Sequence, residues 1–191
     1  MFFEHRCAVC GADGARVCSS CESTLQPAPV EPGAADRSVY VLDPVAREIV
    51  AALKYRRERR LAVWFARRLA PLVPRNAEVI TWCPATPCRV RRRGFDQGRE
   101  LAAATSGLVG VPSKRLLRRA RGDDRQTGRT REERLVGPRL ELVGRCAGLV
   151  VLVDDVTTTG ATVATARRIL LEAGAVRVVA VTLAATPQHT S

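Results

Sequence analysis

Apolar positions recur along this chain in two patterns, and each predicts a different kind of element. Uninterrupted runs at 79–83 and 149–153 have the length and composition of strands buried on both faces, as in a parallel sheet. Elsewhere the apolar period is three to four. Val45, Ile49 and Leu53 predict the inner face of a helix starting near Pro44, and Leu61, Phe65 and Leu69 predict a second, stopped near Leu72 by Pro71 and Pro74. Leu101, Ala104 and Leu108 predict a third; Val163, Ala166, Ile169, Leu170 and Ala173 predict a fourth, ended by Gly174. Residues 39–42 and 176–183 read as further strands. The succession of strand 149–153, helix and strand 176–183 is a crossover unit, which puts a parallel sheet at the centre and helices on its faces.

The stretches without a period divide the chain. Residues 26–38, rich in Pro, Ala and Gly, read as a linker between a small module, residues 1–25, and a main domain, residues 39–191. The residues between Leu117 and Leu135 show no hydrophobic period and read as a mobile polar loop. A length of 191 residues with 46% hydrophobic content suits one ordinary domain plus an appendage. No apolar run approaches a membrane span, and Glu4, His5 and four nearby cysteines stand where a signal peptide would carry its apolar core. A soluble cytoplasmic protein without membrane insertion is therefore expected.

Three motifs carry candidate chemistry. Cys7-x-x-Cys10 and Cys18-x-x-Cys21 place four thiolates on two tight knuckles, the arrangement of a tetrahedral zinc site. Such a site is structural, because four thiolates leave no position for water; a metal-free knuckle is the alternative. The second motif follows strand 149–153. Asp154 and Asp155 end it, and Val156, Thr157, Thr158, Thr159, Gly160, Ala161 and Thr162 then supply small hydroxyls and a permissive glycine where the chain turns into a helix. Backbone N–H groups converge at such a turn and the helix dipole favours an anion there, so a phosphate is the expected occupant. The two acids would repel it unless they face a vicinal diol, a hydrated magnesium ion, or both. A ribose 5-phosphate offers diol and phosphate together; an ordinary turn capped by threonine is the alternative.

The third motif is Pro84-Ala-Thr-Pro87, which ends strand 79–83, followed by the most basic stretch of the chain, residues 89–97. Ala85 and Thr86 in a tight loop beside Arg89 and Arg93 suit a diphosphate, because guanidinium groups pair phosphate oxygens two at a time. Cations at a helix start oppose its dipole, a reason to expect an external anion there. The formal charge is +12, and Lys54 and Lys114 are the only lysines. That balance favours phosphate-rich or polyanionic ligands, single-stranded DNA among them, although a solvated surface explains much of it equally well. Phe95 is the only aromatic residue within 89–99, which weakens a base-stacking mode and leaves backbone contact open.

The string from Leu149 to Thr162 resembles the phosphoribosyl diphosphate (PRPP) motif of the type I phosphoribosyltransferases. The wider order resembles the ComF family: the four-cysteine knuckle, Leu53-Lys54-Tyr55, Arg93-Gly-Phe-Asp-Gln97, the region of Gln126, Glu132 and Arg134, and residues 153–160. That family usually has Asn where this chain has Asp96, so a contact made there by an amide donor is in question. The resemblance implies an α/β fold with a central parallel sheet flanked by helices, and displacement of diphosphate from PRPP through an oxocarbenium-like transition state. It places Asp154 and Asp155 at the ribose hydroxyls, residues 156–162 around PRPP, and Mg²⁺ with Arg89 or Arg93 on the departing diphosphate. It gives Arg125, Gln126 and Arg129 to a loop that closes over the site, unless that loop is an insertion without a catalytic role. It also implies a part in natural competence, with single-stranded DNA or the DNA-uptake machinery as partners. A non-catalytic protein that senses PRPP or binds DNA is the alternative. No base for the nucleophile stands out; His5 and His189 lie near the ends of the chain.

Overall fold

The chain is described from a computed structural model that covers residues 6–29, 31, 33–55, 61–120 and 137–186. Its strands are β1 (Asp36–Val41), β2 (Val79–Trp82), β3 (Leu117–Arg119), β4 (Leu140–Leu142), β5 (Leu149–Thr157) and β6 (Arg177–Ala185). Four of them form one sheet in the order β1-β6-β5-β2, every pair parallel, while β3 and β4 make a separate antiparallel pair. The helices are α1 (Ser19–Glu22), α2 (Pro44–Tyr55), α3 (Leu61–Leu69), α4 (Pro87–Arg93), α5 (Gln97–Val109) and α6 (Ala161–Glu172), with a 3₁₀ turn at Ala70–Leu72. Among the described residues no helix is long and apolar enough to cross a membrane.

Period-two alternation along β5 sorts the core into two layers. Val151 and Val153 pack with Ile49 and Leu53 of α2, Phe65 of α3 and Leu101 of α5. Val150 and Leu152 point the other way and pack with Val163, Ala166 and Leu170 of α6 and with Leu116 and Leu117. The parallel sheet flanked by helices is the architecture the crossover unit predicts. Gly98, in the first turn of α5, lets that helix sit close to β2: a Cβ there would lie 2.9 Å from the Cys83 carbonyl oxygen and 3.0 Å from the Trp82 ring.

Four sequence expectations need adjusting. The start of the stretch read as a mobile loop is strand β3, Leu117–Arg119, paired with β4 and with Leu117 buried. The stretch read as a linker is partly sheet, since β1 begins at Asp36 and residues before it run antiparallel along its outer edge: Ala28 N–H donates to the Val39 carbonyl at 2.9 Å and Val41 N–H to Gln26 at 2.8 Å. An edge strand needs its backbone groups paired or covered, and this segment does that for β1. Leu108 is 50% exposed and does not belong to the inner face of its helix. The basic stretch forms α4, capped by Thr86, whose hydroxyl accepts from Arg89 N–H at 3.3 Å. Arg91, Arg92 and Arg93 therefore fall in its last turn, where the helix dipole favours cations, and the anticipated electrostatic conflict is confined to Arg89 in the first turn.

The amino-terminal knuckle is docked onto this fold. Ala8, Val17 and Leu25 are buried in the same core as α2 and α3. Arg68 of α3 pairs with Glu22 of the knuckle through Nη2 and Nε, the latter at 3.0 Å, and lies 3.5 Å over the Trp64 ring.

Candidate functional site

β5 outruns β2. The last β2–β5 pair is Trp82 with Val153, so from Asp154 to Thr157 β5 is bonded on one side only, to β6. The connections also diverge here. After β5 the chain passes through α6 to β6, whereas after β2 it passes through α4 and α5 and returns along the outer edge of β2. There Ile80 N–H donates to Pro112 and Lys114 N–H to Ile80, both at 2.9 Å. Divergence of this kind opens a crevice at the carboxyl ends of parallel strands, where open α/β sheets bind ligands. A cavity of about 210 Å³ lies there, and Lys54, Arg89, Gln97, Arg119, Asp154 and Asp155 all line it.

The two acids are held differently. Asp155 is 3% exposed and fully engaged: Lys54 Nζ lies 3.0 Å from Oδ1, and Gln97 Nε2 donates to Oδ2 at 2.9 Å. Arg93 in turn donates to Gln97 Oε1. Asp154, less buried, accepts the Asp155 N–H at 2.8 Å. Burial first, and the Asp155 charge second, push Asp154 up to about 7; the Asp155 amide, Lys54 and the Cys83 thiol pull less strongly the other way. Burial and the Asp154 charge likewise push the Cys83 thiol well above its ordinary value.

The raised Asp154 value has a consequence for stability. The folded chain keeps a proton that the unfolded chain, at about 3.8, has already lost. Stability should therefore fall as pH rises from about 4 to about 7 and level off above that, since the unfolded state binds fewer protons across this window. Urea unfolding of wild type and Asp154→Asn at pH 5 and pH 8 checks the sign: the difference between them should shift in favour of Asp154→Asn at pH 8. Parallel curves would refute it.

Of the sequence-derived site residues, the cavity brings together Asp154, Asp155, Val156, Thr158 and Thr162 with Ala85 and Arg89. Thr157 ends β5, and Thr159 accepts the Ala161 N–H at 3.4 Å beside the cavity. Gly160 has φ +73°, a left-handed conformation suited to glycine, and serves as N-cap of α6 without a side-chain cap bond. Most of the first amides of α6 are thus left to a ligand or to water. Ala85 faces the cavity with its N–H committed to Asp96 at 3.4 Å, and Thr86 is occupied in capping α4. Arg93 does not line the cavity; it is 5% exposed and stands behind Gln97. Arg125, Gln126 and Arg129 lie outside the described residues. Asp96 serves purely as an acceptor, from Trp82 Nε1 at 3.2 Å and from Gly98 and Arg99 N–H at 3.1 and 3.5 Å, so this position needs no amide donor.

Lys54, Gln97 and Arg119 are site residues that the pattern analysis did not assign. Lys54 carried two signals: it is one of two lysines in a chain that otherwise uses arginine, and it stands in the motif Leu53-Lys54-Tyr55 quoted for the resemblance. Gln97 closes the motif Arg93-Gly-Phe-Asp-Gln97 quoted for the resemblance, without a role assigned to it; Arg119 carried no signal, since its place depends on where β3 packs.

In the amino-terminal knuckle, the Sγ atoms of Cys7, Cys10, Cys18 and Cys21 all lie within 4.8 Å of one another, with Cys10 and Cys18 3.6 Å apart. Ligand bonds of about 2.3 Å at tetrahedral angles place sulfurs roughly 3.8 Å apart, so this donor set fits a thiolate-bound metal ion. Burial raises the Cys7 thiol, but the amides of Cys10, Cys18 and Val9 outweigh it and bring it to about 6. Cys21 is pushed up to about 12, by its hydrogen bond with Cys18 first and by burial second. Four thiols this close cannot all ionise without a cation among them.

No family model and no curated protein matches the chain. Among solved structures it is similar to "the allosteric regulatory enzyme of purine biosynthesis", at 22% identity over 65% of this chain and 25% of that one, with a TM-score of 0.46. It is similar also to glutamine phosphoribosylpyrophosphate (PRPP) amidotransferase from B. subtilis, at 26% over 65% and 26% of the two chains, TM-score 0.45. A third is orotate phosphoribosyltransferase from Aeropyrum pernix, at 19% over 88% and 92%, TM-score 0.41. The chain spans about a quarter of the length of the first two. With TM-scores under 0.5, these likenesses assign neither family nor activity.

Proposed function

We propose that the chain is a phosphoribosyltransferase of type I architecture, a member of the ComF family, that takes PRPP into the cavity between β2 and β5 and serves natural competence. One observation carries the reading: Asp154 and Asp155 meet Thr158 and Thr162 in a single cavity, beside an α6 amino end whose N-cap, Gly160, offers no side chain. The 5-phosphate sits against the first amides of α6 and the Thr158 and Thr162 hydroxyls. The ribose hydroxyls donate to the two carboxylates, with Asp155 fixed in place by Lys54 and Gln97. Arg89 and Arg119 face the diphosphate. Pentosyl transfer breaks the bond from C1 to the diphosphate oxygen as the acceptor bonds to C1, and the carboxylates offset the positive charge that develops on the sugar.

Asp154 and Asp155 suit a magnesium ion, which takes one or two carboxylates and completes its shell with phosphate oxygens and water. Bound there, it would neutralise charge on the leaving diphosphate. The four thiols at Cys7, Cys10, Cys18 and Cys21 suit zinc in a structural role.

Calorimetry with PRPP and Mg²⁺ tests the reading. The wild-type chain should bind, and the Asp154→Asn/Asp155→Asn variant should lose at least about tenfold in affinity, or 1.4 kcal/mol. A folded wild type that ignores PRPP would remove the phosphoribosyl assignment.

A further inference from the structure

A second and larger cavity, about 810 Å³, lies beside the acid-lined pocket and has no part in the reading above. Its volume is that of a small-molecule site. Arginines line it from three segments: Arg91 on α4, Arg99 on α5, and Arg115, Arg118 and Arg119 in or just before β3. The one acid on its wall, Asp96, is already committed to Trp82 Nε1 and to the amides of Ala85, Gly98 and Arg99. Glu141 answers Arg118 at 2.7 Å. Arg115 and Arg119 donate through Nε to the Leu117 and Pro84 carbonyls at 3.4 and 2.8 Å, contacts that hold them in place without neutralising their charge. Arg91 and Arg99 are exposed and make no ion pair among the described residues. A single carboxylate or phosphate would leave most of this charge unbalanced. A chain of two or three phosphates matches it, because each guanidinium pairs phosphate oxygens two at a time. Apolar walls at Trp82, Pro87, Val90 and Ala103 focus the field inside the concavity.

We propose that this cleft is a regulatory site for a small polyphosphate, inorganic or carried by a nucleoside, whose binding opposes that of PRPP. The opposition rests on the phosphoribosyl reading of the neighbouring pocket; the polyphosphate site does not. The two cavities meet at the turn after β2 and share Pro84, Ala85 and Arg119. That is the side on which the diphosphate of PRPP lies, so a molecule in the cleft is separated from C1 of the sugar by the diphosphate and takes no part in the transfer. Its effect is electrostatic. Arg119, tied to the Pro84 carbonyl, stands at the boundary, and an anion on one side draws on the charge that the anion on the other side needs. The two anions also repel each other across a single turn of protein, where screening by water is weaker than in solution. Each therefore weakens the other by the same factor. A nucleic-acid strand also fits the charge, but binding successive bases takes a series of exposed aromatic faces. Only Trp82 supplies a ring to the cleft, and it is 7% exposed.

Calorimetry with tripolyphosphate, ATP and GTP, each titrated into the full chain in the presence of Mg²⁺, tests the proposal. At least one should bind, and Arg91→Gln/Arg99→Gln should weaken it at least about tenfold while leaving the thermal midpoint and PRPP affinity unchanged. Tighter binding of a nucleotide than of tripolyphosphate assigns the apolar wall to its base; equal affinities assign the site to the phosphate chain alone. With the polyphosphate saturating, the Kd for PRPP should rise about fivefold or more and then level off. A rise without limit would put the polyphosphate in the PRPP pocket itself and overturn the proposal. So would an unchanged Kd, the absence of polyphosphate binding, or its retention in the double variant. Tighter binding of a ten-nucleotide oligothymidylate, lost in the same variant, would overturn it in favour of nucleic acid. A wild type that binds polyphosphate through Arg91 and Arg99 but ignores PRPP sinks the phosphoribosyl assignment and leaves the cleft a polyphosphate site.

Discussion

Replacing Cys18 with serine should strip the metal from the amino-terminal knuckle and lower the midpoint of thermal unfolding by on the order of 10 °C. A structural thiolate site contributes its metal-binding free energy to folding, and each kcal/mol lost shifts the midpoint of a chain this size by roughly 2–4 °C. The effect should reach beyond the knuckle because the knuckle is docked. Ala8, Val17 and Leu25 share the main core, and Glu22 holds Arg68 over the Trp64 ring. Releasing the module exposes those apolar residues and frees the indole, so Trp64 emission should change with the loss of metal. Elemental analysis for zinc and a melting curve with and without a chelator check it. A Cys18→Ser chain that melts where the wild type does would show that the knuckle folds without a metal.

The strands and helices were legible wherever the apolar period was strong. Leu149 to Val153, the α2 face at Ile49 and Leu53, and the α6 face at Val163, Ala166 and Leu170 all lie in the core, because burial against a parallel sheet demands those periods. The acids and threonines after β5 were legible for the same reason: they follow the one strand whose pattern is unambiguous. What stayed hidden depends on packing between distant segments. Lys54 and Asp155 are far apart in the chain and meet only because α2 packs over β5. Arg93 looked like a phosphate ligand by residue type, yet α4 ends in a left-handed Gly94 that turns the chain, and Arg93 is buried behind Gln97. The edge-covering role of residues 26–28 was illegible because Pro and Ala give no period to read, even where their neighbours are paired to a strand.

Lys54→Met should destabilise the fold by about 2–4 kcal/mol, somewhat below the 3–5 typical of breaking a fully buried ion pair. The reduction follows from the partial exposure of Lys54, 22% against 5% for the Asp155 side chain, which lets water screen the pair. Without the ammonium, Asp155 keeps one hydrogen bond, from Gln97, and a charge largely withdrawn from water. Asp155→Asn should cost less, because a lysine near the surface can turn its head group to solvent while its stem stays packed. The double variant Lys54→Met/Asp155→Asn should recover much of what Lys54→Met loses, since no uncompensated carboxylate remains. Urea unfolding of the three variants measures this asymmetry directly. Equal, small costs for both single variants would mean that Asp155 is solvated through the cavity, and that Lys54 does not hold the carboxylate in position for a sugar.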